Sequence, residues 1–352
     1  MTTDRHTPAL ERVIHDALRK ASLGAPARVE PLSAQLGTRR FARVWLEGGK
    51  PETLIARIEA PEDPGGRPAG SAPEPPLEPI RALLEVDGLP VPRRYGGDPS
   101  LGVELLEDLG ARSLAQLASE VTDAERRTLY TEACDLVPRL QHVANPGGVA
   151  AFERHLDRAL FAYKADLFAG ESLRRKGRAA SAAETRCVRE AFDLIAAEAL
   201  RAPQRLAHRD FQSENLMWAA RPQPQLVMID LQGAFLAPPE YDLVCLLRDS
   251  YVELPEDEIH AQLERIRPLL PDAPEPDVFA ARFDLLTLTR KGKDHARFLY
   301  AARSRGDERF LRFAPRTLSM LRAAAARSAE RDPRFAAFSA LLAELPEVPC
   351  AR

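Results

Sequence analysis

The stretch 206–233, LAHRDFQSENLMWAARPQPQLVMIDLQG, constrains this chain more than any other. His208, Asp210 and Asn215 stand at the spacing H-R-D-x-x-x-x-N, and a second acid, Asp230, closes a short apolar run. Residues 216–218 and 226–229 read as short strands, and residues 219–225, with Pro222 and Pro224, turn the chain between them. Such a hairpin brings Asn215 and Asp230 to the same end of two adjacent strands. Phosphoryl transfer asks for these groups in this order. One carboxylate, Asp210, accepts the proton of an attacking hydroxyl. An amide oxygen on Asn215 and the carboxylate of Asp230 hold magnesium against the phosphates. A turn acid, a strand-start cap and a solvated strand end would explain the three residues one by one, but not their joint spacing.

The 352 residues suffice for two domains or one two-lobed domain. With 45% hydrophobic and 29% charged residues the composition is that of a soluble globular protein. A net charge of -3 with both signs mixed along the chain argues against a nucleic-acid or membrane partner. Cys134, Cys187, Cys245 and Cys350 are far apart and form no C-x-x-C, so neither a zinc site nor a disulfide framework is expected, and a reducing cytoplasm fits. The start of the chain has no apolar signal-peptide core, and no apolar run reaches membrane-spanning length.

The first hundred residues read mostly as sheet. A helix over 10–21 precedes strands at 29–36, 41–46 and 53–58, the first two joined by a turn at 37–40. Residues 61–76, PEDPGGRPAGSAPEPP, are too poor in apolar side chains to pack and read as a mobile insertion. A short helix at 78–86 and strands at 91–95 and 102–106 follow. From Ser113 the pattern turns helical, with segments at 113–118, 122–143, 151–168 and 183–200, then 242–247, 256–266, 276–300 and 315–327. Thr122 followed by Glu125 has the form of a capping box. A small sheet lobe, 1–107, followed by a larger helical lobe, 108–352, would place a cleft between them, lined by the 206–233 stretch.

HRDFQSENLM, MIDLQGA and PPEYDLVCLLRD resemble the aminoglycoside phosphotransferase family of small-molecule kinases. Within it they are most similar to the branch that phosphorylates N-acetylmuramate and N-acetylglucosamine at the anomeric position in cell-wall recycling. TRRFARV, LLEDLG and RTLSML extend the likeness more weakly over most of the chain. The resemblance implies an α+β, two-lobed protein-kinase-like fold, with a small antiparallel sheet lobe for the nucleotide and a larger helical lobe for catalysis and the acceptor. It implies ATP or GTP and Mg²⁺ as cofactors. Asp210 matches the family's catalytic aspartate, and Asn215 and Asp230 match its magnesium ligands. Asp242 matches an aspartate that braces the catalytic loop from a helix start, and His208 a loop-holding histidine. Glu78 matches the helix glutamate that pairs with a strand cation.

The chain also departs from the pattern. Arg57 stands where the phosphate-gripping lysine is expected, and an arginine is longer and planar. The loop LGTRRFARV carries Gly37 alone in place of a glycine-rich run, with Arg39 and Arg40 beside it. Gln212 and Ser213 are expected at the acceptor. Arg290, with Lys291 and Lys293 near it, forms a basic cluster that suits an acceptor carboxylate. Two other readings compete. An antibiotic phosphotransferase would want an acid-rich acceptor lobe for polycations, whereas this lobe is rich in arginine. A nucleotide-binding pseudokinase would explain the absent lysine, but not the presence of Asp210, Asn215 and Asp230.

Overall fold

The computed structural model describes residues 7–32, 39–59, 73–175, 178–221 and 223–347. Gly37 and most of the Pro- and Gly-rich segment, up to residue 72, lie outside them. By its contacts the chain divides into two units. One is Met1–Pro73, Pro90–Ala111 and Trp218–Val227; the other is Glu74–Leu89, Arg112–Met217 and Met228–Arg352.

The first unit contains helix α1 (Thr7–Lys20) and strands β1 (Pro26–Pro31), β2 (Arg40–Leu46), β3 (Thr53–Ile58), β4 (Arg94–Asp98) and β5 (Val103–Glu107). All neighbours pair antiparallel in the order β1-β2-β3-β5-β4. Alternation sets the register. Ala42, Val44 and Leu46 of β2 are buried, and Ala42 faces Ala56 and Val44 faces Leu54 across to β3. Ile14, Ala17 and Leu18 form one face of α1 and close over these residues with Val103 and Leu105 in a single apolar cluster. In β4, Gly97 has φ +159°, and a Cβ there would lie 2.5 Å from the Val103 carbonyl oxygen, so the strand pair needs glycine at that point. The first strand begins at Pro26, earlier than the expected 29. As an edge strand it tolerates prolines at its ends.

The second unit is helical. It comprises α2 (Leu77–Val86), α3 (Leu114–Glu120), α4 (Asp123–Gln141), α5 (Arg158–Glu171), α6 (Ala182–Arg201), strand β6 (Arg205–Ala207), strand β9 (Phe235–Ala237), α7 (Tyr241–Leu247), α8 (Glu256–Ile266), α9 (Pro276–Arg305), α10 (Ala314–Arg331) and α11 (Ala336–Ala343). Between β6 and β9 run β7 (Leu216–Ala219) and β8 (Gln225–Met228), paired as a two-stranded sheet. Thr122 and Glu125 make the expected capping box, and Ser113 with Gln116 and Ser181 with Glu184 make two more. Residues 151–157 do not join the helix foreseen at 151–168. The Arg154 carbonyl and the Leu156 amide instead bond to Leu236 of β9, and Asp157 then caps α5 by accepting from the Leu160 amide. α9 starts with Pro276 in its first turn and stops at Gly306, whose φ is +65°. Around its middle, Phe168 of α5, Phe192 of α6 and Phe338 of α11 pack edge-on or stacked, beside His295. A Cβ at Gly292 would come into contact with Phe168 and Phe192 at 3.4 Å. No helix among the described residues is long and apolar enough to cross a membrane.

Candidate active site

The loop 208–215 is anchored at both ends. β6 and β9 pair antiparallel, with Leu206 opposite Leu236, and lead the chain into His208. In the first turn of α7, buried Asp242 accepts the His208 amide at 2.7 Å and the Arg209 amide at 3.1 Å. Burial pushes the Asp242 carboxyl up to about 6, against the lowering pull of His208 and the two amides. Seven residues on, Asp249 accepts the Ser213 amide at 2.8 Å and the Ser213 hydroxyl. The two carboxylates therefore hold the loop on either side of Asp210. Arg209 takes φ +80°, a strained value for a residue with a side chain. Asp242 holds its amide, and Glu74 pairs with its guanidinium at 3.3 Å.

The far end of the loop meets the hairpin. Asn215 donates its side-chain amide to the Asp210 carbonyl at 2.8 Å, and its own carbonyl accepts the Ile229 amide at 3.0 Å. His208 Nε2 lies 2.8 Å from the Ile229 carbonyl; since a carbonyl only accepts, Nε2 carries the proton. Asp230 follows at once, turned by φ +65°, and Gln232 donates to its Oδ1. The structure therefore brings Asp210, Asn215, His208 and Asp242 into one network, and Asp230 follows Ile229 of that network in the chain.

Asp210 is 28% exposed. Its Oδ1 accepts from Arg290 Nη1 at 2.7 Å and lies 3.9 Å from Lys293 Nζ. Burial alone would raise its pKa, but Lys293, Arg290 and Arg209 outweigh this and hold the carboxyl well below the usual range. Arg290 itself is buried and also reaches the Arg209 carbonyl, Gln212 Oε1 and Asp294. Expected at an acceptor carboxylate, it is spent on steadying Asp210 and Gln212. Ser213, also expected at the acceptor, is fully buried with its hydroxyl on Asp249, which makes it a loop anchor. Arg57, in β3 of the first unit, is buried and paired with Glu59 at 2.6 Å. Glu78, in the first turn of α2 in the second unit, takes two hydrogen bonds from Arg81, each 2.9 Å. Asp249 was missed as a site residue, although the R-D ending of YDLVCLLRD, seven residues after Asp242, carries the signal.

A model of the phosphotransferase enzyme family matches residues 28–277. The chain belongs to this family. Over 328 residues it is 29% identical to the N-acetylmuramate/N-acetylglucosamine kinase of Pseudomonas aeruginosa, covering 92% of this chain and 90% of that protein. It is 28% identical over 265 residues to the Neisseria meningitidis protein of the same name, covering 74% and 76%. In fold it is similar to choline kinase LicA from Streptococcus pneumoniae, with a TM-score of 0.59 at 15% identity over 92% of this chain and 99% of that one. It is equally similar to the GDP complex of aminoglycoside 2'-phosphotransferase-IIIa, with a TM-score of 0.59 at 14% identity over 92% and 99%. The fold is the two-lobed kinase-like one, and the enzyme is a small-molecule kinase that passes a phosphoryl group to a hydroxyl.

In such a phosphotransferase the donor set at the hairpin base suits magnesium. An Asn215 carboxamide oxygen and an Asp230 carboxylate are hard oxygen donors. No cluster of three or more His, Cys, Asp or Glu gathers among the described residues. Bound there, the ion would neutralise phosphate charge. Asp210 is held ionised and is steadied by Arg290.

Proposed function

We propose that this phosphotransferase moves the γ-phosphoryl group of ATP or GTP, with Mg²⁺, to the anomeric hydroxyl of an N-acetylated amino sugar, in cytoplasmic recycling of cell-wall sugars. The observation that carries the reading is the likeness to the Pseudomonas aeruginosa kinase over about nine-tenths of both chains. Residues 1–107 would serve the nucleotide and 108–352 the acceptor. Arg57 would reach the phosphates in place of the usual lysine. Asn215 and Asp230 would hold the ion, Asp210 would act on the acceptor hydroxyl, and Gln212, fixed by Arg290, would face the sugar. Catalysis would come from positioning and charge stabilisation, without a covalent enzyme intermediate. The three described cysteines are free, which suits a reducing compartment.

A panel assay tests the acceptor. Purified enzyme with ATP and Mg²⁺ is offered N-acetylmuramate, N-acetylglucosamine, neutral sugars and aminoglycosides. The expected result is turnover of an N-acetylated amino sugar at least tenfold better than of any aminoglycoside, because a polycation is repelled by the cations around Asp210. Phosphorylation of kanamycin-like drugs with none of an N-acetylated sugar would replace this reading with the antibiotic one.

A further inference from the structure

Around Asp210 the second unit gathers several cations, and among the described residues not every one has a carboxylate within hydrogen-bond distance. Arg209 is paired with Glu74, Arg290 with Asp210 and Asp294, and Lys291 with Asp294 at 2.8 Å and Ser250 at 3.3 Å. Asp242 and Asp249 are taken up by backbone amides of the loop. Two amines remain. Among the described residues Lys293 has no carboxylate oxygen nearer than Asp210 at 3.9 Å, beyond hydrogen-bond reach, and is 14% exposed. Lys164 of α5 is 4% exposed. Among the described residues its Nζ meets only the Tyr241 hydroxyl, at 3.4 Å, and the rings of Phe161 and Tyr241 at 5.5 and 5.3 Å. Burial, then the charges of Lys293 and Arg290, push Lys164 down to about 7; burial, then Arg290, push Lys293 down to about 8.

Burying an ammonium without a counter-charge is costly. A ligand anion beside Asp210 would supply the missing charge. The Arg290 Nη atoms and Lys291 are taken up by Asp210, Gln212, Asp294 and Ser250, so the donors of Lys293 are the ones that would meet it. We propose that Lys293 grips a carboxylate carried by the acceptor sugar, next to the hydroxyl that Asp210 addresses, and that Lys164 strengthens this grip with its charge without touching the ligand. The proposal rests on the sugar-kinase reading above. The same lysine chemistry would also suit an oxyanion of the phosphoryl group in transfer, and the test separates the two.

N-acetylmuramate carries a lactyl carboxylate and N-acetylglucosamine lacks it. The readout is the ratio of their kcat/KM values in wild type, Lys293→Met and Lys164→Met. The ratio should fall about tenfold in Lys293→Met, the loss of one charge-assisted hydrogen bond, and about threefold in Lys164→Met. Lys164→Met should melt at or above the wild-type temperature, because it removes a buried charge that has no partner. An unchanged ratio in Lys293→Met, with both sugars still turned over, overturns the inference alone. An equal fall in kcat on both sugars moves Lys293 to the transferred phosphoryl and overturns the acceptor assignment. No turnover of either sugar by wild type removes the sugar-kinase reading, and this inference with it.

Discussion

The two halves of α9 carry their charges differently. In the first half Arg282 gives two nitrogens to Glu240 at 2.9 and 2.7 Å, and Asp284 is gripped by Arg327 and Arg331 of α10. Every one of those charges has a partner on a neighbouring element. In the second half Arg290, Lys291 and Lys293 share Asp210 and Asp294, and Lys164 adds a further cation from α5. The first arrangement ties helices together. The second leaves an excess of positive charge beside an ionised aspartate, which is the condition of a site that an anionic ligand completes.

The comparison breaks first at Glu240. If the first half is structural, Glu240→Ala should cost about 3–5 kcal/mol in urea unfolding, because it strands the buried Arg282 guanidinium. It should leave the ratio of sugar specificities where it was. A loss below about 1 kcal/mol, or a shifted ratio, would mean that the two halves do not differ in kind.

A smaller effect sharpens the other half. Lys164 feels Lys293, Arg290, Cys245 and Arg209, and Lys293 feels Arg290, Asp210, Asp294 and Arg297. An amine holds its charge below its pKa, so the preference for a carboxylated over a neutral sugar should be full near pH 6.5. It should fall a few-fold as the pH rises through about 7 to about 8, where the two amines lose their protons. A kcat/KM ratio that stays flat from about pH 6.5 to about pH 9 would remove the amines from acceptor recognition.

Much of the frame was legible in the sequence because its signals are local. The H-R-D-x-x-x-x-N spacing and the hairpin to Asp230 span 23 residues, His208 to Asp230, and the loop and hairpin stand in the structure at those positions. Period-two alternation marked β2 and β3, and the Thr122 capping box marked α4. What was hidden depends on contacts between distant residues. The start of α5 was misjudged because β9, some eighty residues later, claims residues 154–156. Arg290, Lys291 and Lys293 read only as a basic cluster that suits an acceptor carboxylate. Asp210, eighty residues before Arg290, is what draws the arginine inside. Ser213 looked like a substrate contact because nothing local shows that Asp249 takes its hydroxyl.

The central claim is that this chain is an active kinase whose chemistry runs through Asp210. The most direct measurement sets wild type beside Asp210→Asn, following sugar phosphorylation and nucleotide binding on the same preparations. Asp210→Asn should lose turnover by about 10²-fold or more, while its affinity for ATP with Mg²⁺ stays within a few-fold of wild type. Turnover of the variant close to wild type on a good acceptor, or a wild type that binds ATP yet phosphorylates no acceptor, would contradict the account.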